Sequence, residues 1–178
     1  SIRASAYAQQ SIIITEYVQR EFEIPVLWGG MHPTMEPEGS IGVADMVLNG
    51  EGEPALLDLV QKLANGDDQL PTAKNVWFNL GQDEIIRNPV RALVEDLDTL
   101  PFRDYTTEAD KFFIHRGTVI EGDPMVGDPV FQMMGSRGCI YKCSYCYNST
   151  YKKDIYPGQK WFRVRSPESM VREILDAK

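Results

Sequence analysis

The sequence predicts an α/β protein, with a doubly wound sheet in its first half and a separate strand–loop–helix unit near its end. Three observations point there. Two short apolar runs, residues 24–28 and 45–49, each give way to glycine, as buried parallel strands do where they enter a tight loop. Helix-period segments flank them, so strand, loop and helix alternate as in a doubly wound fold. A third apolar run, 130–134, leads through a cysteine-rich loop and a basic stretch to a helix that starts at Ser166.

From about residue 4 to 22, Ile14, Tyr17, Val18 and Phe22 recur at helical spacing, with Gln19, Arg20 and Glu21 on a polar side, so a helix is expected despite the β-branched run at 12–14. Ile24-Pro-Val-Leu-Trp is then a buried strand closed by Gly29-Gly30. Asp45-Met-Val-Leu-Asn is a second, closed by Gly50-Glu-Gly-Glu. Residues 54–64 form an amphipathic helix with Pro54 in its first turn and Leu56, Leu59, Val60 and Leu63 inward. Residues 75–79 and 84–87, separated by Leu80-Gly-Gln-Asp, read as an added hairpin.

From 89 to 128 no period is sustained, and Gly122, Pro124, Gly127 and Pro129 punctuate its end. Leu93, Leu97, Leu100, Phe102, Phe112 and Phe113 are too apolar for a free linker, so an ordered connector is expected. Val130-Phe-Gln-Met-Met is the next strand. Ser166 as N-cap and Pro167 in the first turn then begin a helix whose Met170, Val171, Ile174 and Leu175 line one face. The expected segments are 1–88, 89–128 and 129–178. No internal repeat or low-complexity stretch is visible.

With 178 residues, 43% apolar and 25% charged, the composition is that of an ordinary globular protein with one good core or two small ones. The net charge of −8 comes without long acidic runs; it reads as a hydrated surface and argues against a nucleic-acid ligand. Lys152, Lys153, Lys160, Arg163 and Arg165 form a local basic exception, read as a solvated loop with a carboxylate or phosphate contact as the alternative. No apolar stretch approaches the ~20 residues that span a bilayer, and no basic start precedes an apolar run. A cytoplasmic location without a membrane partner is the expectation.

The three cysteines, Cys139, Cys143 and Cys146, stand as C-x3-C-x2-C in Gly135-Ser-Arg-Gly-Cys-Ile-Tyr-Lys-Cys-Ser-Tyr-Cys-Tyr. Each iron of a cubane iron–sulfur cluster is normally held by a thiolate, so three thiolates leave one iron open to a ligand from elsewhere. One alternative is a Cys3His zinc site completed by His32 or His115, although zinc loops usually pair cysteines as C-x2-C and bring a second pair. The other is a disulfide with a spare thiol, against which the odd, tightly packed count speaks.

This spacing, with Tyr145 just before the third cysteine, resembles the signature loop of the radical S-adenosylmethionine (SAM) enzymes. The resemblance implies a [4Fe–4S] cluster on Cys139, Cys143 and Cys146. It also implies SAM chelated by the free iron and cleaved to a 5′-deoxyadenosyl radical, with Tyr145 near the adenine. An electron donor such as flavodoxin or ferredoxin follows from it.

The first half carries a second resemblance. Ile24-Pro-Val-Leu-Trp-Gly-Gly-Met-His-Pro-Thr and Ala44-Asp-Met-Val-Leu-Asn-Gly-Glu-Gly-Glu look like the later part of the flavodoxin- or Rossmann-like cobalamin-binding domain that precedes the barrel in one large radical SAM group. Leu97-Asp-Thr-Leu-Pro-Phe-Arg-Asp-Tyr is similar to its connector, and Phe162-Arg-Val-Arg-Ser-Pro-Glu-Ser to its first barrel helix. The resemblance implies that 1–88 is the C-terminal part of that domain and 129–178 the first β/α unit of a (β/α) barrel. Ligands of open α/β sheets bind beyond the strand ends, where glycine lets backbone approach closely. Gly29 and Gly30 are thereby candidate contacts to the nucleotide tail of cobalamin, with Ser1, Gly50 and Glu51 at the same edge. A barrel takes about 200 residues, so the chain is expected to be a segment of a longer enzyme.

Other residues have plainer readings. His32 and His115 are read as locally bonded rather than as cobalt ligands. Glu51 and Glu53 suit a helix start better than an acid–base pair. Trp28, Trp77 and Trp161 share no spacing and are read as packing. The expected activity is cobalamin-dependent radical SAM chemistry on a small-molecule or peptide substrate, most often methyl transfer to an unactivated carbon. Alternatives are another radical SAM reaction, such as methylthiolation or cyclisation, and a non-catalytic zinc- or cobalamin-binding module.

Overall fold

The structure is a computed structural model that describes residues 1–66, 70–104, 111–123 and 130–177. Pro124, Gly127 and Pro129, which punctuate the expected connector, lie outside the described residues. Two compact units are present: Ser1–Leu93 with Lys142–Gln159, and Val94–Tyr141 with Lys160–Lys178. They cut across the expected segments, since 142–159 belongs with the first half of the chain.

In the first unit, β1 (Leu27–Gly29) and β2 (Met46–Leu48) pair in parallel, Leu27 opposite Met46 and Gly29 opposite Leu48. The expected hairpin forms as β3 (Val76–Asn79) and β4 (Ile85–Arg87), and β3 joins β2 antiparallel, giving the order β1-β2-β3-β4. The sheet is therefore mixed. Successive β2 residues feed opposite faces, as the two-residue period requires. Met46 and Leu48 join Ala55, Leu59, Val76 and Phe78, whereas Val47 joins Ile2, Trp28, Ile41 and Ala44. Burial on both faces is why the strand reads as an unbroken apolar run.

Helix α1 (Ala8–Phe22) forms as expected but turns a different side inward. Ile14, Tyr17 and Phe22 are exposed, and the contact side is Ile12, Thr15 and Gln19. A buried indole N–H needs an acceptor. Trp28 Nε1 donates to Thr15 Oγ1 at 2.8 Å, and Gln19 Nε2 to Asp45 Oδ2 at 2.9 Å, which fixes the helix roll. Two short helices, α2 (Met31–Met35) and α3 (Pro37–Ile41), follow β1. In α4 (Glu53–Ala64) the inward residues are Ala55 and Leu59, while Leu56, Val60 and Leu63 are exposed. Of the four expected inward residues Leu59 alone is buried; small Ala55 takes the position where the helix meets the sheet.

The 142–159 segment carries α5 (Tyr147–Thr150) and a π-helix (Tyr151–Ile155), in place of an irregular basic loop. Tyr156, 1% exposed, ends it. Its hydroxyl accepts from the Glu51 amide at 2.8 Å. A Cβ on Gly50, at φ +81°, would lie 1.9 Å from that hydroxyl. Gly50→Ala is therefore expected to cost about 2–3 kcal/mol through left-handed strain and overpacking. Denaturation of Gly50→Ala, Tyr156→Phe and the double variant checks this. Loss of the hydroxyl should return about 1 kcal/mol of the alanine penalty, and strictly additive costs would refute the clash.

In the second unit, the connector contains an unexpected hairpin, β5 (Phe112–His115) and β6 (Thr118–Glu121). Arg116 (φ 48°) and Gly117 (φ 80°) form its turn, the left-handed pair that two-residue hairpin loops favour. Leu93, at the end of the first unit, and Leu97, in the second, are buried, as their apolar character predicts, but Phe112 is exposed. The strand expected at 130–134 does not form. Val130, Phe131 and Met134 are exposed, and the strand is β7 (Ser136–Arg137), paired antiparallel with β8 (Arg163–Val164). Arg163, 2% exposed, anchors β8 by donating from Nη1 to the Val94 carbonyl at 2.6 Å. Pairing, not apolar content, sets the strand.

Helix α6 (Pro167–Asp176) begins as predicted, with Ser166 Oγ accepting from the Ser169 amide at 3.0 Å. Of its expected inward residues Met170 alone is half-buried. Val171, Ile174 and Leu175 are exposed, while Ser169 and Glu173 are buried, because Glu173 pairs with Arg165 and Arg165 also bonds Ser169 Oγ. Asp98 adds to the helix start, accepting from the Ser166 amide at 3.1 and 3.2 Å. The Ser166 hydroxyl chiefly, with its amide, holds the Asp98 carboxyl below its ordinary value of 3.8, against the opposing effect of burial. A depressed carboxylate stabilises above its unfolded pKa, and that stabilisation is lost as pH falls through the lower folded value. Thermal unfolding of Asp98→Asn between pH 7 and 2 is expected to show a lower melting temperature at neutral pH and a shallower acid decline. An unchanged acid decline would count against this linkage.

Candidate functional site: the cysteine loop and the sheet edge

The cysteine loop runs from β7 to α5, a strand-to-helix connection as the sequence predicts, although the strand lies later than expected. Cys139 lies in the second unit, two residues before that segment ends at Tyr141, and Cys143 and Cys146 lie in the first. All three thiols are free and half-buried. Within the first unit the loop is tightly turned. The Cys146 amide donates to the Cys143 carbonyl at 3.2 Å, and Ser149 Oγ donates to the same carbonyl at 2.8 Å. Asn148 Nδ2 donates to Cys146 Sγ at 3.7 Å. Among the described residues no three His, Cys, Asp or Glu side chains are gathered as a metal-holding group. The donor set itself, three thiols within eight residues and no disulfide, is the kind that iron–sulfur clusters take. Tyr145 is 90% exposed, so its ring is available to a ligand.

Gly138 precedes Cys139 in the second unit at φ +82°, and a Cβ there would lie 2.2 Å from the Trp161 carbonyl oxygen. The approach to the first cysteine is thus held by backbone-to-backbone contact.

At the other end of the candidate set, Ser1, Gly29 and Gly30 converge at the C-terminal edge of β1. The Ile2 amide donates to the Gly29 carbonyl at 2.7 Å, and the His32 amide to the Ile2 carbonyl at 3.1 Å. A Cβ on Gly30, at φ +104°, would meet Ser1 Oγ at 2.6 Å; one on Gly29 would make ordinary contact with Leu48. Gly30 is therefore required by its neighbours within the chain. Gly50 and Glu51 are likewise committed to Tyr156 through the clash and hydrogen bond described above. What these residues offer a large ligand is placement at one sheet edge, not an empty glycine cradle.

His32 Nδ1 lies 3.0 Å from Ser5 Oγ and its ring tilts against Trp28, the local role expected of it. Trp28 and Trp161 are core residues and Trp77 is half-buried, in keeping with their packing role. Sequence reasoning missed the tyrosine series Tyr147, Tyr151 and Tyr156, whose rings meet edge-to-face at 5.6 Å and tilted at 6.4 Å. The near-helical spacing of those three was the available signal. Burial pushes the Tyr151 phenol above its ordinary value, partly offset by its hydrogen bond with the Thr34 side chain.

No helix among the described residues is long and apolar enough to cross a membrane. No family model matches the chain. In sequence it is similar to an uncharacterized methyltransferase of Pyrococcus horikoshii, 29% identical over 154 residues, covering 84% of this chain and 29% of that protein. It is also similar to an anaerobic magnesium-protoporphyrin IX monomethyl ester cyclase of Rubrivivax gelatinosus, 25% identical over 157 residues, covering 85% of this chain and 25% of that protein. In structure it resembles TsrM of Kitasatospora setae, a radical S-adenosylmethionine methyltransferase solved with cobalamin and a [4Fe–4S] cluster bound. That match has a TM-score of 0.56 at 16% identity and covers 96% of this chain and 31% of that one. The chain spans less than a third of the length of each of these proteins. The resemblance read from the cysteine loop and the glycine-bounded strands is borne out by these likenesses in sequence and fold.

Proposed function

We propose that this chain is the junction of a cobalamin-dependent radical SAM enzyme, comprising the later part of its cobalamin-binding domain and the start of its radical SAM barrel. The observation that carries the proposal is the C-x3-C-x2-C trio, free of disulfides, on a strand-to-helix loop. Cys139, Cys143 and Cys146 would hold a [4Fe–4S] cluster and Tyr145 would lie against the adenine of SAM. Ser1, Gly29 and Gly30, with Gly50 and Glu51 behind them, would border the corrinoid tail. When bound, these cofactors supply the electron that splits the sulfonium of SAM and the methyl group for an unactivated carbon. The chain's own work is to bind and orient. The Asn148 contact positions the Cys146 sulfur, and Tyr156 closes the Gly50 loop beside the sheet edge. A flavodoxin or ferredoxin would deliver the electron.

The test uses the full-length protein, purified anaerobically and reconstituted with iron and sulfide. Four irons, acid-labile sulfide, one cobalamin and SAM-dependent release of 5′-deoxyadenosine are expected. One zinc without labile sulfide would refute the cluster, and a cluster without cobalamin binding would leave a different radical SAM enzyme. The similarity to the cyclase favours a second reading, ring closure in place of methylation; mass gain of one methyl group on the substrate separates the two.

A further inference from the structure

The segment 142–159 carries three lysines against one carboxylate, Asp154, in a chain whose net charge is −8. Lys142, Lys152 and Lys153 converge on a cavity of about 440 Å³, with Ser149, Pro157 and Gly158 completing its wall, and all six residues belong to the first unit. Lys152 is half-buried, and Lys142 and Lys153 are exposed. Lys142 and Lys152 have no carboxylate partner among the described residues. Lys153 meets only the exposed Asp154, at 3.9 Å, a pair worth little in water. Arg91, Arg103 and Arg165, by contrast, are each paired with a carboxylate. The lysines are also firmly mounted. Lys152 and Lys153 stand on the π-helix, which Tyr156 ends, and the buried Tyr156 hydroxyl accepts from the Glu51 amide. The cavity wall is at the same time part of the cysteine loop: Lys142 is joined to Cys143 by a peptide bond, and Ser149 Oγ donates to the Cys143 carbonyl at 2.8 Å.

We propose that this lysine-rimmed cavity is the docking surface for an acidic one-electron carrier protein of the flavodoxin kind. The inference rests on the cluster reading, since without a cluster the carrier has nothing to reduce here. Two acidic proteins repel over most of their surfaces, so close approach is confined to a face of opposite sign. This basic face lies where Cys143 is reached through one residue of backbone or one hydrogen bond. Lysine stems and Pro157 line the concavity with apolar surface beneath a charged rim, which suits the small, weak interface of an electron-transfer encounter. In that encounter one electron passes from the reduced flavin of the carrier to the cluster on Cys139, Cys143 and Cys146. The carrier is oxidised by one electron, the cluster is reduced by one, and no proton or leaving group changes hands.

The experiment measures binding of flavodoxin to the full-length protein by biolayer interferometry, a readout that needs no turnover. Native affinity is expected to fall about tenfold or more between about 50 and 500 mM sodium chloride, as screening weakens exposed charge pairs. The double variant Lys152→Glu, Lys153→Glu is expected to bind about tenfold or more weakly at low salt and to lose most of that salt dependence. Lys152→Arg with Lys153→Arg keeps the charge and should bind within about twofold of native. In the reconstituted enzyme the glutamate pair should slow cluster reduction by reduced flavodoxin while leaving reduction by dithionite unchanged. Iron and labile sulfide present, with undiminished flavodoxin binding by the folded glutamate variant, would overturn the docking alone. Zinc without labile sulfide would overturn the cluster reading and the docking role with it. No flavodoxin binding at low salt, with inorganic phosphate bound instead, would make the cavity a small-anion pocket and also overturn the proposal. If the glutamate pair fails to fold, Lys142→Glu and the native salt series decide, and salt-independent binding counts against the docking.

Discussion

Replacing any one of Cys139, Cys143 or Cys146 with alanine in the full-length protein is expected to abolish 5′-deoxyadenosine formation while leaving the fold intact. The three thiols are half-buried and free of disulfides, so truncation removes little packing and should cost about 1 kcal/mol or less. Loss of one thiolate from a three-thiolate site leaves two irons without a protein ligand, and such a cluster does not persist at catalytic occupancy. Iron content should fall toward background, and turnover by about three orders of magnitude or more, since the cofactor carries the hard chemistry. Paired measurements of iron and of melting temperature make the result specific. A variant with native iron and native SAM cleavage would remove that cysteine from the cluster; a variant that simply unfolds would show a structural thiol instead.

The second large effect is expected at Gly138, one residue before the first cysteine. Alanine there would place Cβ 2.2 Å from the Trp161 carbonyl oxygen and 2.8 Å from its carbon, at φ +82°. Both obstructing atoms are backbone, two residues before β8, so neither can swing aside as a side chain would. Left-handed strain and overpacking together should cost about 3 kcal/mol or more. That corresponds to a fall in melting temperature of about 6–12 °C for a chain of this size. Gly135→Ala is the control. The Cβ there would meet only Met170 Sδ at 2.9 Å, the flexible part of a side chain, and the variant should melt within about 2–3 °C of the native protein. Equal destabilisation by the two substitutions would show that the Gly138–Trp161 approach is not the constraint.

Much of this was legible because it depended on neighbours in sequence. The apolar run 45–49, bounded by Gly50, could only be a strand buried on both faces, and β2 is one. Ser166 with Pro167 marks a helix start through local bonding, and the Ser166 hydroxyl makes that bond. The cysteine spacing carried the chemistry without any tertiary information. The misses depended on distant partners. Which side of α1 turns inward is decided by the indole of Trp28, and which side of α6 by the Arg165–Glu173 pair. Apolar periodicity ranks faces by hydrophobicity and is blind to buried polar networks that claim a face first. β7 lies beyond the apolar run because its pairing partners, Arg163 and Val164, stand far later in the chain. Tyr156 had no motif at all; its importance is visible only as a hydroxyl bonded to the Glu51 amide.

The hydroxyl of Tyr156 gives the chain an unusual seam. The four-stranded layer is encoded before residue 90, yet the stopper for its Gly50 corner is supplied by a stretch that begins only after Lys142. A polypeptide severed in the intervening region would keep every strand and still leave that corner unplugged, so splitting the gene at the apparent boundary would not yield a self-sufficient first module.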